Sequence, residues 1–321
     1  MGKKVAVLTS GGDAPGMNPC IRACVRFGLY KGLEMYGVRR GYQGLIDDDI
    51  FLMNSRSVSD IVQRGGTFLK TARCEDFKTV EGINKAVANL KKYGITDVIA
   101  IGGDGTFRGG KAMADNSDIS VIGIPGTIDN DLAYTDFTLG FDTSVNTVLW
   151  AINSLRDTMG SHDRCSLLEV MGRRCGDIAL YAGICGGAEY ILVPEVPYDL
   201  DAIADSLKKA HERGKTSNMI IFAEGAGNKD EICAYLKEKT GVKITTTTLG
   251  HIQRGGSPTM QDRILANKFA ERAIELIMLG ATNRVIGTRD NRIIDENISE
   301  ALEMSGKFDK KLYKLAEIMS L

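Results

Sequence analysis

Two hydrophobic rhythms alternate along the chain. Short apolar runs lie at Lys4–Thr9, Val98–Ile101, Val121–Ile124, Leu167–Val170, Ile191–Val193 and Met219–Phe222. They are too short for helices and run into small or polar residues, as buried strands of a parallel sheet do. Between them, apolar residues recur at helical spacing. Val80, Ile83, Val87 and Leu90 form one such set, closed by Gly94, and Val145, Leu149, Ile152 and Leu155 form another after Asp142. Asn18 followed by Pro19 predicts a capped helix start. Further helices are expected over Asp177–Cys185, Leu200–His211, Ile232–Lys239 and Asp262–Met278, with strands near Gly37–Arg39 and Lys243–Thr248. This alternation predicts an α/β protein with mostly parallel sheets flanked by helices.

The chemistry gathers where the runs end. Val98–Ile101 empties into Gly102-Gly103-Asp104-Gly105-Thr106. The carboxyl edge of an open α/β sheet is where ligands bind. Glycines there let backbone N–H groups approach phosphate oxygens, and the following helix adds its positive end. Asp104, the lone acid of this loop, is the candidate Mg²⁺ ligand, through water. Val121–Ile124 leads into Pro125-Gly126-Thr127-Ile128-Asp129-Asn130-Asp131. A carboxylate placed at an acceptor hydroxyl can take its proton during phosphoryl transfer. Asp129 is the candidate, and Asp131 either orients it or is a turn acid. Ser10–Gly16 is a second glycine loop, and the helix after it carries Arg22 and Arg26 four apart. These arginines are either a solvated face or an anion site away from the catalytic loop.

Arg73, Asp104, Asp129, Arg173, Glu224, His251 and Arg254 are all expected just past strand ends. His251 and Arg254, in a loop with three glycines, suit a phosphomonoester. Arg173 suits an acceptor's polar groups or the phosphoryl in transit, and Glu224 suits sugar hydroxyls. Arg164, after Ser161-His162-Asp163, is a weaker signal.

Composition narrows the classes. The 321 residues, 43% hydrophobic, suffice for two domains. A net charge of −1 argues against nucleic acid or an anionic membrane as main partner. The seven cysteines are scattered without a Cys-x-x-Cys pair, which predicts reduced thiols in a cytoplasmic protein and no zinc site. The first apolar run is too short for a signal peptide, and no run approaches membrane-spanning length. Neither the cysteines nor Trp150 signal chemistry by themselves.

Gly-Gly-Asp-Gly-Thr alone also resembles the loop of NAD kinases and diacylglycerol kinases. Five stretches together are more specific: Leu8–Gly16, Gly102–Gly105, Pro125–Asp131, Val170–Arg173 and Gly250–Pro258. With them the chain resembles the ATP-dependent 6-phosphofructokinases of the bacterial type. The resemblance implies a phosphofructokinase-like fold, with a larger ATP-binding domain (1–139 plus 253–303) and a smaller sugar-phosphate domain (140–252 plus 304–321). It implies that Gly12, Arg73, Cys74, Gly103, Asp104, Gly105 and Thr106 hold ATP, with Mg²⁺ at Asp104. Thr127, Asp129, Met171, Gly172, Arg173 and Glu224 would hold fructose 6-phosphate, with Asp129 as base toward its 1-hydroxyl. Arg73 and Arg173 would offset transition-state charge. Arg164, His251 and Arg254 would bind the 6-phosphate. It further implies a homotetramer whose active sites are shared between subunits. An allosteric nucleotide site would use Arg22, Arg26, Ser59, Arg156, Glu189, Arg213 and Lys215, responding to ADP and phosphoenolpyruvate.

The donor follows from size. Pyrophosphate-using relatives typically carry Asp at position 105 and Lys at 126, whereas this chain has glycine at both, which favours ATP. Several positions depart from the family pattern. Thr245 stands where a 6-phosphate arginine is common, with Lys243 two residues earlier as a possible substitute. Ser55 replaces an arginine beside Arg56, Ser217 stands at an effector position, and Cys74 and Lys78 replace an aromatic residue and an arginine near ATP. Alternatives are a kinase for another sugar phosphate, such as tagatose 6-phosphate, or a non-catalytic regulatory paralogue.

Overall fold

The computed structural model describes residues 2–161, 165–215, 217–306 and 308–320. In chain order the strands are β1 (Lys4–Thr9), β2 (Glu34–Val38), β3 (Ile50–Met53), β4 (Asp97–Gly102), β5 (Ser120–Pro125), β6 (Cys165–Val170), β7 (Tyr190–Leu192), β8 (Asn218–Ala223), β9 (Ile244–Thr248), β10 (Arg284–Arg289) and β11 (Arg292–Asn297). The helices are α1 (Met17–Tyr30), α2 (Tyr42–Ile46), α3 (Val80–Tyr93), α4 (Asp104–Asp115), α5 (Phe141–Gly160), α6 (Asp177–Cys185), α7 (Leu200–Glu212), α8 (Lys229–Thr240), α9 (Met260–Met278), α10 (Ile298–Glu303) and α11 (Lys310–Met319). The chain divides into two compact units. The first comprises Met1–Ile128, Leu132–Thr143 and Arg254–Gly306, and the second Asp129–Asp131, Ser144–Gln253 and Lys307–Leu321.

The first unit is built on a seven-stranded sheet in the order β11-β10-β5-β4-β1-β2-β3. Its central pairs are parallel, and β4 and β5 are buried along their whole length. That burial is why Val98–Ile101 and Val121–Ile124 read as unbroken apolar runs. One apolar cluster joins Leu8, Val98 and Val121 to Tyr42, Phe77, Leu90 and Met113. Another joins Phe107, Tyr134 and Val285 to Ile298. The second unit carries a four-stranded parallel sheet, β7-β8-β6-β9. Its core packs Cys165, Leu167, Ile220 and Phe222 against Leu207 and Leu236.

Several expectations need correction. Asn18 does not cap α1. Gly16, left-handed at φ 102°, holds the cap position without a side-chain bond. Asn18 is buried inside the first turn, donating to Arg64 O (3.2 Å) and Gly65 O (3.0 Å) and accepting from Phe68 N (2.8 Å). The predicted strand at Gly37–Arg39 is longer and starts earlier, as β2. Both sheet edges are antiparallel: β3 pairs with β2, and β11 with β10. The β10–β11 turn is Asp290-Asn291, both at positive φ, the residue types a two-residue hairpin needs. Val80 is 61% exposed, so only Ile83, Val87 and Leu90 of its set face the core. Arg73 follows no strand. It lies in the long connection between β3 and α3, just before a short 3₁₀ turn at Asp76–Lys78.

Two buried polar side chains anchor segments of the first unit. Asp262 accepts from Gly140 N (2.8 Å), Thr143 N (2.9 Å) and Thr143 Oγ1 (2.5 Å). Burial, with these hydrogen bonds opposing it, pushes the Asp262 carboxyl from 3.8 up to about 6. A raised carboxyl pKa stabilises the folded state fully below its unfolded value, and the contribution is lost as pH rises through the folded value. The Asp262 contribution to unfolding free energy should therefore fall between about pH 4 and 6, by on the order of 3 kcal/mol. Denaturant titrations across pH check this, and Asp262→Asn should flatten that part of the curve. Asn18→Ala should lower stability by about 2 kcal/mol, because it strands two carbonyls and an N–H. A urea midpoint unchanged from the parent would contradict that.

Candidate active site

The site starts from a lateral register. In β1 and β4, Thr9 lies beside Ile101, and in β4 and β5, Gly102 lies beside Pro125. Ser10 N donates to Ile101 O (3.0 Å) and Gly126 N to Gly102 O (2.9 Å). The loops after β1, β4 and β5 therefore leave the sheet side by side at its carboxyl edge.

Close approach explains several of their glycines. A Cβ on Gly102 would lie 2.2 Å from Thr106 Oγ1 and 2.4 Å from Ser10 O. A Cβ on Gly12 would lie 2.3 Å from Arg254 Nη1, and the same guanidinium nitrogen lies 3.5 Å from Asp13 O. Gly105 differs, since nothing lies within 4 Å of the space its Cβ would fill. Gly126 is crowded by Ile101 at 3.0 Å and Met17 at 3.3 Å. Gly103 takes the cap position of α4. Thr106, in the first turn of α4, has a buried Oγ1 without a hydrogen-bond partner among the described residues.

Asp104 opens α4 and is held by Arg108 through two bonds, Nε–Oδ2 at 2.7 Å and Nη2–Oδ1 at 3.0 Å. The Asp104 carboxylate holds the Arg108 guanidinium above its ordinary pKa. Among the described residues no group of three or more His, Cys, Asp or Glu is placed to hold a metal ion. One carboxylate beside a glycine loop fits Mg²⁺, which keeps waters and takes its other ligands from substrate phosphates. The start of α4 is further fixed by Tyr42, whose hydroxyl donates to Thr106 O (2.5 Å) and whose ring stacks on Phe77 at 4.1 Å. Neither Tyr42 nor Arg108 stood out in the sequence. Arg73 is exposed. Cys74 packs against the Tyr42–Phe77 cluster, and burial pushes its thiol up.

The second unit gathers Met171, Gly172, Arg173, Glu224 and His251 onto loops at the carboxyl ends of its own strands. Glu224 N donates to Val170 O (2.9 Å), and Gly225 N to Gly172 O (3.1 Å). A Cβ on Gly225 would lie 2.1 Å from Arg173 O. Gln253, fully buried, accepts from Met171 N (3.1 Å) and donates to Gly250 O (3.0 Å). It staples the turn carrying His251 to the loop carrying Arg173, a role that its place in the Gly250–Pro258 stretch did not reveal. Arg173, Glu224 and His251 are exposed, while Thr127 and Asp129 are half-buried. Thr245 sits on the edge strand β9 beside Ser166, its hydroxyl 3.3 Å from Cys165 O. Arg164 lies outside the described residues.

The residues assigned to effector binding fall in both units. In the first, Arg22 and Arg26 share a groove of about 430 Å³ between α1 and α9 with Lys268 and Glu271. Burial and the neighbouring Arg26 lower the Arg22 pKa. Ser59 donates to Ser55 O (3.5 Å). In the second, Arg156 and Lys215 converge on Glu189, at 3.9 and 3.1 Å. Arg213 caps the end of α7.

Against known proteins, residues 4–277 match the family described as Phosphofructokinase. A Clostridium tetani protein named ATP-dependent 6-phosphofructokinase is 56% identical over 318 residues, covering 99% of each chain. A Clostridium botulinum protein of the same name is 54% identical over the same span, again covering 99% of each chain. The structure of phosphofructokinase from Saccharomyces cerevisiae matches with a TM-score of 0.89 at 32% identity, covering 99% of this chain and 47% of the yeast chain. The fold, the two glycine loops on neighbouring parallel strands and the matches over nearly the full length agree: the chain belongs to the phosphofructokinase family.

Proposed function

We propose that this chain transfers the γ-phosphoryl group of ATP to the 1-hydroxyl of fructose 6-phosphate, giving ADP and fructose 1,6-bisphosphate, a step of glycolysis. The observation that carries this reading is the side-by-side exit of β4 and β5, with Gly102 beside Pro125. It sends the phosphate loop and the Asp129 loop off the sheet as neighbours. The name shared by the clostridial relatives supports the same activity. We assign the larger, ATP-binding domain to 1–139 plus 253–303 and the smaller, sugar-phosphate domain to 140–252 plus 304–321.

The mechanism follows from the residues. Gly12, Arg73, Cys74, Gly103, Gly105 and Thr106 bind ATP, and the orphaned Thr106 hydroxyl suits a nucleotide oxygen. Asp104 holds Mg²⁺, which when bound offsets charge on the phosphate oxygens. Thr127, Met171, Gly172, Arg173 and Glu224 orient the sugar. Asp129 takes the proton of the 1-hydroxyl as that oxygen attacks phosphorus, and the bond to ADP breaks. Arg73 and Arg173 balance the charge that spreads over the phosphoryl oxygens. Arg164, His251 and Arg254 hold the 6-phosphate.

Donor choice rests on Gly105. The open space beside it admits a phosphate that a side chain would exclude. The working form is proposed to be a cytoplasmic homotetramer in which a neighbouring subunit completes the phosphate clamp. Arg22, Arg26, Ser59, Arg156, Glu189, Arg213 and Lys215 are proposed to bind a nucleotide effector, Glu189 holding Arg156 and Lys215 at 3.9 and 3.1 Å. One observation favours a second substrate reading: Thr245 places a neutral hydroxyl where the family commonly has a cation, so tagatose 6-phosphate is the competing acceptor.

Purified protein should release ADP from MgATP only when fructose 6-phosphate is present, and should not use pyrophosphate. Asp129→Ser should reduce kcat by about 10²–10⁴-fold. Retention of parental kcat would remove Asp129 as base. Thr245→Arg should lower KM for fructose 6-phosphate by roughly tenfold or more, the worth of a charge-assisted bond set, with KM for ATP unchanged. An unaltered sugar KM, or tighter binding of tagatose 6-phosphate alone, would refute the missing-cation account.

A further inference from the structure

We propose that Asn130 and Asp177 form a clamp that positions Asp129, a reading that rests on Asp129 being the base. Three polar residues follow one another at the end of the β5 loop, and they behave differently. Asp129 is half-buried and Asp131 exposed, but Asn130 between them is fully buried. The middle residue is the one turned inward.

Its backbone is also unusual. Asn130 has φ 53°, and among the described non-glycine residues at positive φ it is the one classed as buried. Asparagine tolerates this region better than most residues, yet the conformation persists only where the surroundings impose it. One partner that holds it there is Asp177. The Asn130 amide donates to Asp177 Oδ2 at 2.9 Å, inside the protein.

Asp177 is a fixed post. It is 4% exposed and is the first residue of α6, where the positive end of the helix favours a carboxylate. The residue before it is held from the other side: Gly176 N donates to Glu195 Oε1 at 2.8 Å. A Cβ on Gly176 would come within 2.4 Å of Val193, so the backbone there packs closely against Val193. A bond to a buried carboxylate is charge-assisted and directional. It therefore fixes the backbone on both sides of Asn130, and Asp129 is the residue directly before it. Asn130 and Asp177 are positioning residues that touch no reacting atom.

The test exchanges donor and acceptor. Asn130→Asp sets two carboxylates against each other. It should lower kcat by about 100-fold, the cost of a small misplacement of a reacting group, while KM for ATP stays within about twofold. The acid limb of the kcat–pH profile should move to higher pH, because a second nearby charge disfavours ionised Asp129. Adding Asp177→Asn restores one amide and one carboxylate with the bond reversed. The double variant should recover at least tenfold in kcat, and the acid limb should return toward the parental position. Asn130→Gly, which accepts positive φ but removes the amide, should fold with a lowered melting transition, because it takes a hydrogen bond from the buried Asp177 carboxylate, and should lose kcat. The clamp is overturned if Asn130→Gly keeps parental kcat, or if the double variant recovers neither rate nor limb. If Asp129→Ser stays active, the base assignment fails, whatever the Asn130 variants do.

Discussion

The chemistry of this chain depends on one lateral register in a sheet. Thr9 beside Ile101 and Gly102 beside Pro125 bring three loops to one edge. The strands concerned are almost wholly apolar and buried, so close packing of side chains on both faces holds their register. The register is therefore set by the core, far more strongly than any loop residue could set it. Ser10 N and Gly126 N extend the ladder past the strand ends, so the first loop residues are placed almost as firmly as the strands. The backbone thus fixes where the loops after β4 and β5 begin, Gly102 beside Pro125 and Gly126 N on Gly102 O.

The glycines separate what the fold requires from what a ligand requires. At Gly102, Gly12 and Gly225 a Cβ would strike protein atoms within 2.1 to 2.4 Å. Those glycines are explained by packing alone. At Gly105 no protein atom lies within 4 Å, so packing gives no reason for the missing side chain. The same comparison at Gly126 runs the other way, because a lysine there would have to displace Ile101 and Met17. The two glycines that differ from the pyrophosphate-using pattern thus sit in opposite surroundings, one open and one crowded.

Much of this was legible in the sequence. Buried parallel strands show as unbroken apolar runs, and helices α3 and α5 show as apolar residues at helical spacing, α3 closed by Gly94 and α5 with Asp142 in its first turn. The loops with Asp104, Asp129, Arg173 and Glu224 could be placed because each directly follows such a run. What stayed hidden depends on partners far along the chain. Asn18 reads as a cap because it precedes proline, but its bonds go to residues 64–68. Gln253 bonds to Met171 across 82 positions, and Asn130 to Asp177 across 47. No local period encodes such pairs. Strands β3, β10 and β11 were missed, and of these β3 and β11 are antiparallel edges that need no crossover helix. Their signals were the short run at Ile50–Met53 and the Asp290-Asn291 turn.

The hidden residues share a role. Side chains assigned to substrates are accessible: Arg73, Arg173, Glu224 and His251 are exposed, and Asp129 is half-buried. The side chains that hold their loops are buried and polar: Asn18, Gln253, Asn130, Asp177 and Asp262. A flexible exposed side chain loses entropy when a ligand orders it, so its backbone must already be fixed for binding to remain favourable. Apolar packing fixes a loop poorly, because it has no direction. A buried amide or carboxylate has direction, and leaving its bond unmade is costly. Loop placement in this family member therefore draws on buried polar residues as well as on the apolar core.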